Sequence, residues 1–374
     1  MMNEYTYWMA FANAEHIYTR RKNEILAKVY TNNRSIADFF VDEQRWSSDY
    51  GLSLDEVSIL LQEKEKLNNY SFIVEDLLEQ GYRMVPIFSQ EYPKSLKKNL
   101  KFNAPVLLYA YGNIELLNKH CTAIVGSRKA SDISLEFTAN VAAKAVADNS
   151  VVVSGYAKGV DRQALEAAIS SGGSSIIVLP QGITTFGSGI RSLYKEIVAG
   201  HILIISTFKP QAGWSKGLAM ARNQYIYGLA DTIFAAESDS KGGTYSGVVD
   251  GLKKKRVVYV RKPNQNEKNA NNLLISLGAR AVDMFGNEWI TNTDAEVKTN
   301  ERRYMSIEEN IMTLLAEGEY TIKSLAKTIL EDDSRKSQGT IRKYLKANKI
   351  EPVSNSRPLR YTSRHNPTLF NSDE

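Results

Sequence analysis

The middle of the chain, from about residue 116 to residue 290, alternates short apolar runs with longer segments of helical periodicity. Segments such as Leu135–Ala147 repeat apolar residues every three or four positions, as amphipathic helices do. Alternating strands and helices of these lengths predict a doubly wound, mostly parallel α/β sheet with helices on both faces. The predicted strands are Cys121–Val125, Val151–Ser154, Ser175–Leu179, Ile202–Ser206, Asp231–Ala235 and Arg256–Val260.

The beginning of the chain has helical patterns and predicts a helical N-terminal domain at residues 1–80. Ser53 and Glu56 are spaced as a capping box ahead of an apolar helical run. A second helix is predicted over Tyr70–Gln80, ending before a glycine. Two short strands then open the sheet domain, which we place at residues 81–290. These strands are Met84–Phe88 and Val106–Tyr111.

A third region follows the polar linker 291–303 and contains three helical patterns and two strand-like pieces, 350–353 and 359–361. Thr321 and Ser337 are predicted to cap the second and third of these helices. Three helices followed by a β-hairpin are typical of a winged helix, which we place at residues 300–364. The last residues, 365–374, are predicted to be a disordered tail.

Positive charge is concentrated in this third region. Nine basic residues and one acidic residue lie between Ser334 and Arg364, although the whole chain carries a net charge of only +5. A concentrated cationic surface favours a polyanionic partner, and duplex DNA is one candidate. A protein-docking module with a basic face is the alternative. The predicted basic face of the winged helix comprises Arg342, Lys343, Lys346, Arg357 and Arg360.

Cysteine, histidine and hydropathy patterns narrow the classes of function. The single cysteine, Cys121, opens an apolar run and is predicted to be a buried small residue. The four histidines lack metal-ligand spacing, so we predict neither a metal site nor a cofactor. No apolar run is long enough to cross a bilayer, and no signal-peptide core follows Met1. A cytoplasmic protein without membrane attachment is expected.

Glycine-rich turns that carry cations follow several of the predicted strands. The carboxyl ends of parallel strands bind ligands in open α/β sheets. Close backbone approach at glycine, helix-terminal amides and a guanidinium fork all suit an anion. Several such turns on one sheet therefore predict a groove that binds phosphates. The predicted residues are Gly126, Ser127, Arg128, Lys129, Gly155, Lys158, Gly159, Arg222, Asn223, Gly242, Gly243 and Thr244.

These residues, in this order, resemble the DprA/Smf family, the DNA-processing proteins of bacterial transformation. The resemblance runs from about Asp76 to Lys262 and implies an extended Rossmann-like domain, often with a helical N-terminal domain and a winged helix. It also implies single-stranded DNA binding, delivery of the RecA recombinase onto that DNA, and a homodimer. The matching segments include Tyr92-Pro93, Pro105-Val106-Leu107, Gly112-Asn113, Val125–Arg128, Ser154–Asp161, Gly173–Gly182, Arg222-Asn223 and Gly242-Gly243.

The match to the family is uneven. Arg128, Lys158 and Arg222 correspond to family positions that hold DNA phosphates. The departures are Gln224 in place of a second arginine, Leu165 in place of a histidine, and Gly242-Gly243-Thr244 in place of Ser-Gly-Ser/Thr. These departures indicate a divergent branch of the family. They affect the expected DNA affinity and RecA loading more than the expected fold. Divergent relatives also occur in anti-phage defence modules, sometimes paired with a toxin.

The leading hypothesis is therefore a single-stranded DNA-binding recombination mediator without enzymatic activity. Phosphates would lie on the turns, and aromatic residues would stack on bases. Tyr156 and Tyr225 are the candidate stacking residues, with packing in the protein core as the equal alternative for both.

Two rival hypotheses stay open. The first is an enzyme, because the sheet domain distantly resembles nucleotide phosphoribohydrolases. Their loop has a proline before the glycines and an acid after the threonine, and the sequence around Thr244 lacks both. Glu237 follows a strand end with no evident partner, and Asp161 is better explained as a partner of a helix N-terminus. The second rival is a nucleotide-sensing regulator or antitoxin that uses the same pocket.

Overall fold

The computed structural model of the protein describes residues 2–289, 307–330, 332–348, 350–353 and 359–362. The chain forms two compact units, residues 1–272 with 279–289, and residues 273–278 with 290–374. The predicted linker at 291–303, the predicted tail at 365–374 and Arg357 lie outside the described residues.

Five helices begin the first unit and enclose an aromatic core. Trp46 is fully buried, and its indole N–H donates to the carbonyl of Phe39 at 2.7 Å. The predicted capping box at Ser53 and Glu56 is confirmed, with both reciprocal hydrogen bonds present. The helices are α1 (Glu4–Asn13), α2 (Thr19–Thr31), α3 (Ile36–Val41), α4 (Leu54–Glu65) and α5 (Leu67–Glu79).

Buried polar contacts join these helices to the sheet region. The side-chain amide of Asn23 on α2 donates to the carbonyls of Phe102 and Ala104, both at 2.8 Å. An amide buried with satisfied donors fixes the position of its helix, because breaking those bonds would leave the group unpaired.

A nine-stranded sheet forms the body of the first unit, in the order β1-β2-β6-β5-β4-β3-β7-β8-β9. The strands are β1 (Arg83–Pro86), β2 (Leu107–Gly112), β3 (Cys121–Val125), β4 (Val151–Ser154), β5 (Ser175–Val178), β6 (Ile202–Ser206), β7 (Thr232–Ala235), β8 (Val258–Arg261) and β9 (Arg280–Val282). The associated helices are α6 (Lys94–Leu100), α7 (Asp132–Ala147), α8 (Val160–Ser170), α9 (Gly187–Val198), α10 (Lys216–Leu229), α11 (Gly243–Lys253) and α12 (Asn271–Ser276).

Seven strands, from β6 to β9 in this order, are parallel, and β1 and β2 pair antiparallel at one edge. The predicted fold class, a mostly parallel doubly wound sheet behind a helical N-terminal region, is confirmed. Strands β3 to β6 advance in one direction, and β7 returns to the other side of β3. This reversal is a topological switch point, where open α/β sheets bind ligands.

Helices cover the sheet on both faces near the switch point. Ile124 of β3 packs with Phe137 and Val141 of α7 in one buried cluster. Because successive side chains of a strand point to opposite faces, Val125 belongs to the other face, where α10 packs. All eight strands predicted for the sheet domain are present, with ends shifted by at most two residues. The strand-like piece predicted at 350–353 forms only an isolated bridge at Pro352.

Within residues 307–362 of the second unit, the structure describes three helices around a small apolar core. The structure places β10 (Tyr320–Thr321) antiparallel to β11 (Arg360–Tyr361), and Pro352 forms a further bridge to Tyr361. Thr321 accepts a hydrogen bond from the Ser324 amide, as its predicted capping role requires. The helices are α13 (Ile307–Glu317), α14 (Ile322–Leu330) and α15 (Arg335–Ala347), and the core includes Ile311, Leu314, Leu315, Leu325, Ile341, Leu345 and Tyr361.

One capping prediction in this unit is wrong. Ser334, not Ser337, caps α15, because its hydroxyl accepts from the backbone N–H of Ser337. The helix therefore begins one turn earlier than the apolar pattern indicated. Asp332 stabilises the same turn by accepting hydrogen bonds from both serine hydroxyls.

Candidate functional site

A cavity of about 540 Å³ lies at the carboxyl ends of β3 and β7, where the strand order reverses. Five cationic and two acidic side chains line it. Nine of the twelve predicted phosphate-binding residues are among the lining residues. They are Gly126, Ser127, Arg128, Lys129, Arg222, Asn223, Gly242, Gly243 and Thr244.

The three predicted residues of the second turn do not line the cavity. Gly159 has a positive φ of 79°, and a Cβ atom there would lie 2.4 Å from the carbonyl oxygen of Ser127. This glycine therefore allows the turn after β4 to pack against the turn after β3. Lys158 is exposed on the same turn and extends the cationic surface beyond the cavity.

The backbone of Ser127 serves the architecture of the turn. Its N–H donates to the carbonyl of Glu237 at 2.9 Å, so it is not available to an anion. Its hydroxyl accepts from the N–H of Lys129 at 3.0 Å. Arg128 and Lys129 are exposed, so the charges of this turn are the groups left for a ligand.

Glu237 has clear hydrogen-bond partners, although none was evident from its position in the sequence. Its carboxylate accepts hydrogen bonds from the N–H of Ser131 at 3.0 Å and from the hydroxyl of Ser134 at 2.8 Å. The carboxylate thereby binds the positive N-terminus of α7. A carboxylate held in this way orders the loop between β3 and α7 and does not face the cavity as a free acid.

Helix α11, in contrast, begins without a capping side chain. Gly242 is its N-cap, with a φ of 112°, and no side-chain hydrogen bond closes the first turn. The first amides of a helix have no partner within the helix, and they carry its positive dipole end. Because Gly242, Gly243 and Thr244 line the cavity, the positive end of this helix lies at the same cavity as the cationic side chains.

Arg222 lies beneath the cavity as a buried structural group. Its side chain is 3% exposed, one Nη donates to the carbonyl of Val178 at 3.0 Å, and the same nitrogen lies 4.0 Å from the carboxylate of Asp161. A Cβ atom at Gly155 would occupy the position of the guanidinium, so Gly155 makes room for Arg222. The second glycine turn thus serves the buried arginine.

The buried pair shifts both titrations. Burial raises the pKa of Asp161, whereas Arg222 and nearby backbone N–H groups lower it, and the raising effect is larger. Burial also lowers the pKa of Arg222, against the stabilising charge of Asp161, and Arg128 lowers it further. Burial disfavours the charged form of both groups, and the opposite charge of the partner stabilises it.

Sequence reasoning missed four lining residues that bear on ligand binding: Trp214, Lys216, Asp239 and Lys241. Trp214 is 54% exposed, and the guanidinium of Arg128 lies 6.0 Å from its ring centroid. The signal available in the sequence was a tryptophan two residues before a lysine, ahead of a helix. Its link to Arg128 depends on strand order, which the sequence pattern does not encode.

The two predicted stacking residues lie elsewhere. Tyr225 is buried, and Tyr156 packs edge-on against Phe186 with the Arg162 guanidinium 3.9 Å from its ring centroid. Neither tyrosine lines the cavity, and packing explains both. Two aromatic residues line the cavity, and of these Trp214 is exposed whereas Tyr227 is buried.

The divergent positions have local explanations. The Gln224 side chain donates to the carbonyl of Ala221 at 3.2 Å, next to the cavity, where an arginine would add charge. Leu165 is buried in α8.

The predicted basic face of the second unit is exposed where the structure describes it. The exposed residues are Arg342, Lys343, Lys346 and Arg360.

The described part of the chain contains no group of three His, Cys, Asp or Glu side chains that could hold a metal ion. Within the same residues, no helix has the length and apolar character needed to cross a membrane. Burial raises the pKa of the Cys121 thiol to about 12, consistent with its predicted role as a buried small residue.

The fold and the site together define an open α/β-sheet protein with a cationic pocket at its topological switch point. The chain belongs to the DNA recombination-mediator protein A family, because the family model matches residues 83–292. It is 30% identical over 181 residues to the DNA processing protein DprA of Streptococcus pneumoniae, covering 48% of this chain and 63% of that protein.

Other relatives agree with this assignment. The DNA processing protein DprA of Bacillus subtilis is 27% identical over 207 residues, which cover 54% of this chain and 69% of that protein. The X-ray structure of the Streptococcus pneumoniae DprA matches with a TM-score of 0.55 and 24% identity, over 75% of this chain and 95% of that one. That structure supports the fold. The alignment to the Streptococcus sequence spans less than two thirds of its length.

Proposed function

We propose that the protein binds single-stranded DNA along the carboxyl edge of the sheet and acts as a recombination mediator. The observation that carries this proposal is the excess of cations in the cavity at the switch point. Of its two acidic residues, Asp161 is buried against Arg222, which leaves Asp239 as the exposed acid of the lining. The exposed cations of the lining number four: Arg128, Lys129, Lys216 and Lys241. Membership of the family supports DNA as the polyanion.

A strand of several nucleotides fits the distribution of charge better than a single phosphate does. The exposed cations belong to turns after β3 and β7 and to the start of α10, and Lys158 extends the surface past the cavity. Single-stranded DNA-binding proteins combine such a groove with aromatic residues that stack on bases. Trp214, exposed beside Arg128, is in place for that role.

The contacts around the site favour binding over glycosidic hydrolysis. Such hydrolysis requires a positioned carboxylate. Glu237 is engaged by Ser131 and Ser134. Gly247 stands three residues after Thr244, at the position where the hydrolase loop has its acid. We therefore propose that the protein is not an enzyme. Delivery of RecA, a homodimer and a toxin partner are predictions that rest on the family resemblance alone.

The proposal is tested by the salt dependence of binding. Single-stranded oligonucleotide affinity should fall steeply with salt, and Arg128→Ala should reduce the slope of log affinity against log salt by about 0.7, the value for one phosphate contact. Fluorescence anisotropy with a labelled oligothymidylate measures this slope. Lys98→Ala, an exposed lysine outside the cavity, is the matched control. Binding that is insensitive to salt, or an unchanged slope in Arg128→Ala, would refute the groove.

A second prediction concerns base stacking. Trp214→Ala should weaken oligonucleotide binding by about 1–3 kcal/mol, whereas Trp214→Phe should retain much of the affinity. The slope against salt should stay unchanged in both, because no phosphate contact is lost. The test is a salt titration of both variants beside the wild type. Equal affinities of Trp214→Ala and wild type would show that the indole does not contact the DNA.

A further inference from the structure

The outward face of α15 carries a stripe of cations in the second unit. Its exposed side chains recur at the three- and four-residue spacing of one helix face, opposite the buried Ile341 and Leu345. The exposed residues of this face are Arg335, Gly339, Arg342, Lys343 and Lys346. Arg360 on β11 is a further exposed cation of the same unit.

Gly339 lies in the middle of this stripe. A glycine inside a helix lowers the stability of that helix relative to alanine, because its backbone loses more conformational freedom. Several glycines in the middle of helices of the first unit have a packing reason, whereas Gly187 and Gly217, in the first turns of α9 and α10, do not. At Gly247, for example, a Cβ atom would meet the ring of Tyr227 at 2.7 Å. At Gly339 no atom of the described residues lies within 4 Å of that position. Packing among the described residues of this unit therefore does not account for the glycine.

We propose that α15 enters the major groove of duplex DNA, with Gly339 at the point of closest approach. The absence of a side chain there lets the helix backbone come near the base edges, while Arg342, Lys343 and Lys346 reach phosphates. A helix of 13 residues is about 20 Å long, and the major groove of B-form DNA is wide enough to admit it. This proposal concerns a second site and does not depend on the groove of the first unit.

Duplex DNA fits this surface better than other polyanions. The major groove of an RNA duplex is too narrow to admit side chains. Single strands bind on exposed aromatic platforms, and the stripe contains no aromatic residue. Asp332 and Asp333 lie at the start of α15, so the contact is displaced toward its middle and C-terminal half. Asp333 is paired with Lys323, which reduces its repulsion of phosphates.

The decisive variant is Gly339→Ala in the full chain. It should raise the melting temperature of the second unit by about 4 °C, because alanine favours the helix. It should also lower affinity for a labelled 20-base-pair duplex by about tenfold, because a methyl group separates two closely packed surfaces. Lys343→Ala should reduce the salt slope of duplex binding by about 0.9. Lys327→Ala, an exposed lysine on α14, is the matched control and should leave duplex binding unchanged.

The outcomes separate this site from the groove in the first unit. Arg128→Ala should retain duplex binding, and Gly339→Ala should retain binding of the single strand. A Gly339→Ala protein that is more stable and binds duplex as tightly as wild type would overturn the proposal. An equal loss of duplex affinity in Lys343→Ala and Lys327→Ala would also overturn it, because binding would then depend on the net positive charge of the protein and not on this helix face. If Lys343→Ala lost binding to an acidic protein but bound the duplex as tightly as wild type, the face would be a protein-docking surface and the proposal would be wrong.

Discussion

Asp161→Ala is expected to lower the free energy of unfolding by about 3–5 kcal/mol, the cost of leaving a buried charge without its partner. Arg222 is 3% exposed and cannot release its proton at any ordinary pH. After removal of Asp161, the carbonyl of Val178 is the acceptor left within hydrogen-bond distance of its Nη among the described contacts. Urea unfolding monitored by circular dichroism gives the midpoint shift.

The double variant Asp161→Ala/Arg222→Met separates the charge effect from general damage. Methionine fills a similar volume without a charge, so the pair should recover most of the stability lost by the single substitution. Asp148→Ala, which removes an exposed aspartate after α7, is the control and should change stability by less than about 0.5 kcal/mol. If Asp161→Ala were as mild as this control, or the double variant less stable than the single one, the buried pair would not have the role inferred here.

The largest loss of binding is expected from a triple variant of the cavity, Arg128→Ala/Lys216→Ala/Lys241→Ala. Its three side chains come from three different loops that strand order brings to one cavity. If each contacts one phosphate, the slope of log affinity against log salt falls by about 2, and affinity at low salt falls on the order of a hundredfold. Anisotropy titrations at several salt concentrations measure both quantities.

The matched control removes the same net charge elsewhere. Lys98→Ala/Lys119→Ala/Lys253→Ala replaces three exposed lysines of the first unit, none of which lines the cavity. It should reduce affinity much less, because screening limits the effect of distant charges to about a Debye length, roughly 8 Å at physiological salt. If both triple variants lost affinity equally, long-range attraction by net charge would explain binding, and the cavity would have no special role.

Local patterns predicted the strands well because burial on both faces leaves a continuous apolar signature. Cys121–Val125 and Ile202–Ser206 have the predicted ends. The elements that the pattern did not predict include α9 and β9. The first begins with Gly187-Ser188-Gly189, whose residues disfavour helix, and the second has only three residues. Tertiary packing stabilises both where local propensity is weak.

The roles of the glycines and of Arg222 were harder to predict. The pattern marked Gly126, Gly155 and Gly159 as anion-binding, yet a Cβ atom at each would collide with the protein itself. At Gly126 the obstacle is Val160. The sequence cannot distinguish a glycine required by packing from one that lets the backbone approach a ligand. In both cases glycine marks a position where a side chain does not fit.

The sequence by itself determined the alternation of parallel strands and helices, the turns at the strand ends and the cationic helix of the second unit. Periodicity and burial are local properties that a linear pattern records. The tertiary structure alone decided that β7 lies beside β3, which brings Arg128, Trp214 and the open end of α11 to one cavity. It also decided that Arg222 is buried against Asp161, because burial depends on which elements pack over a residue.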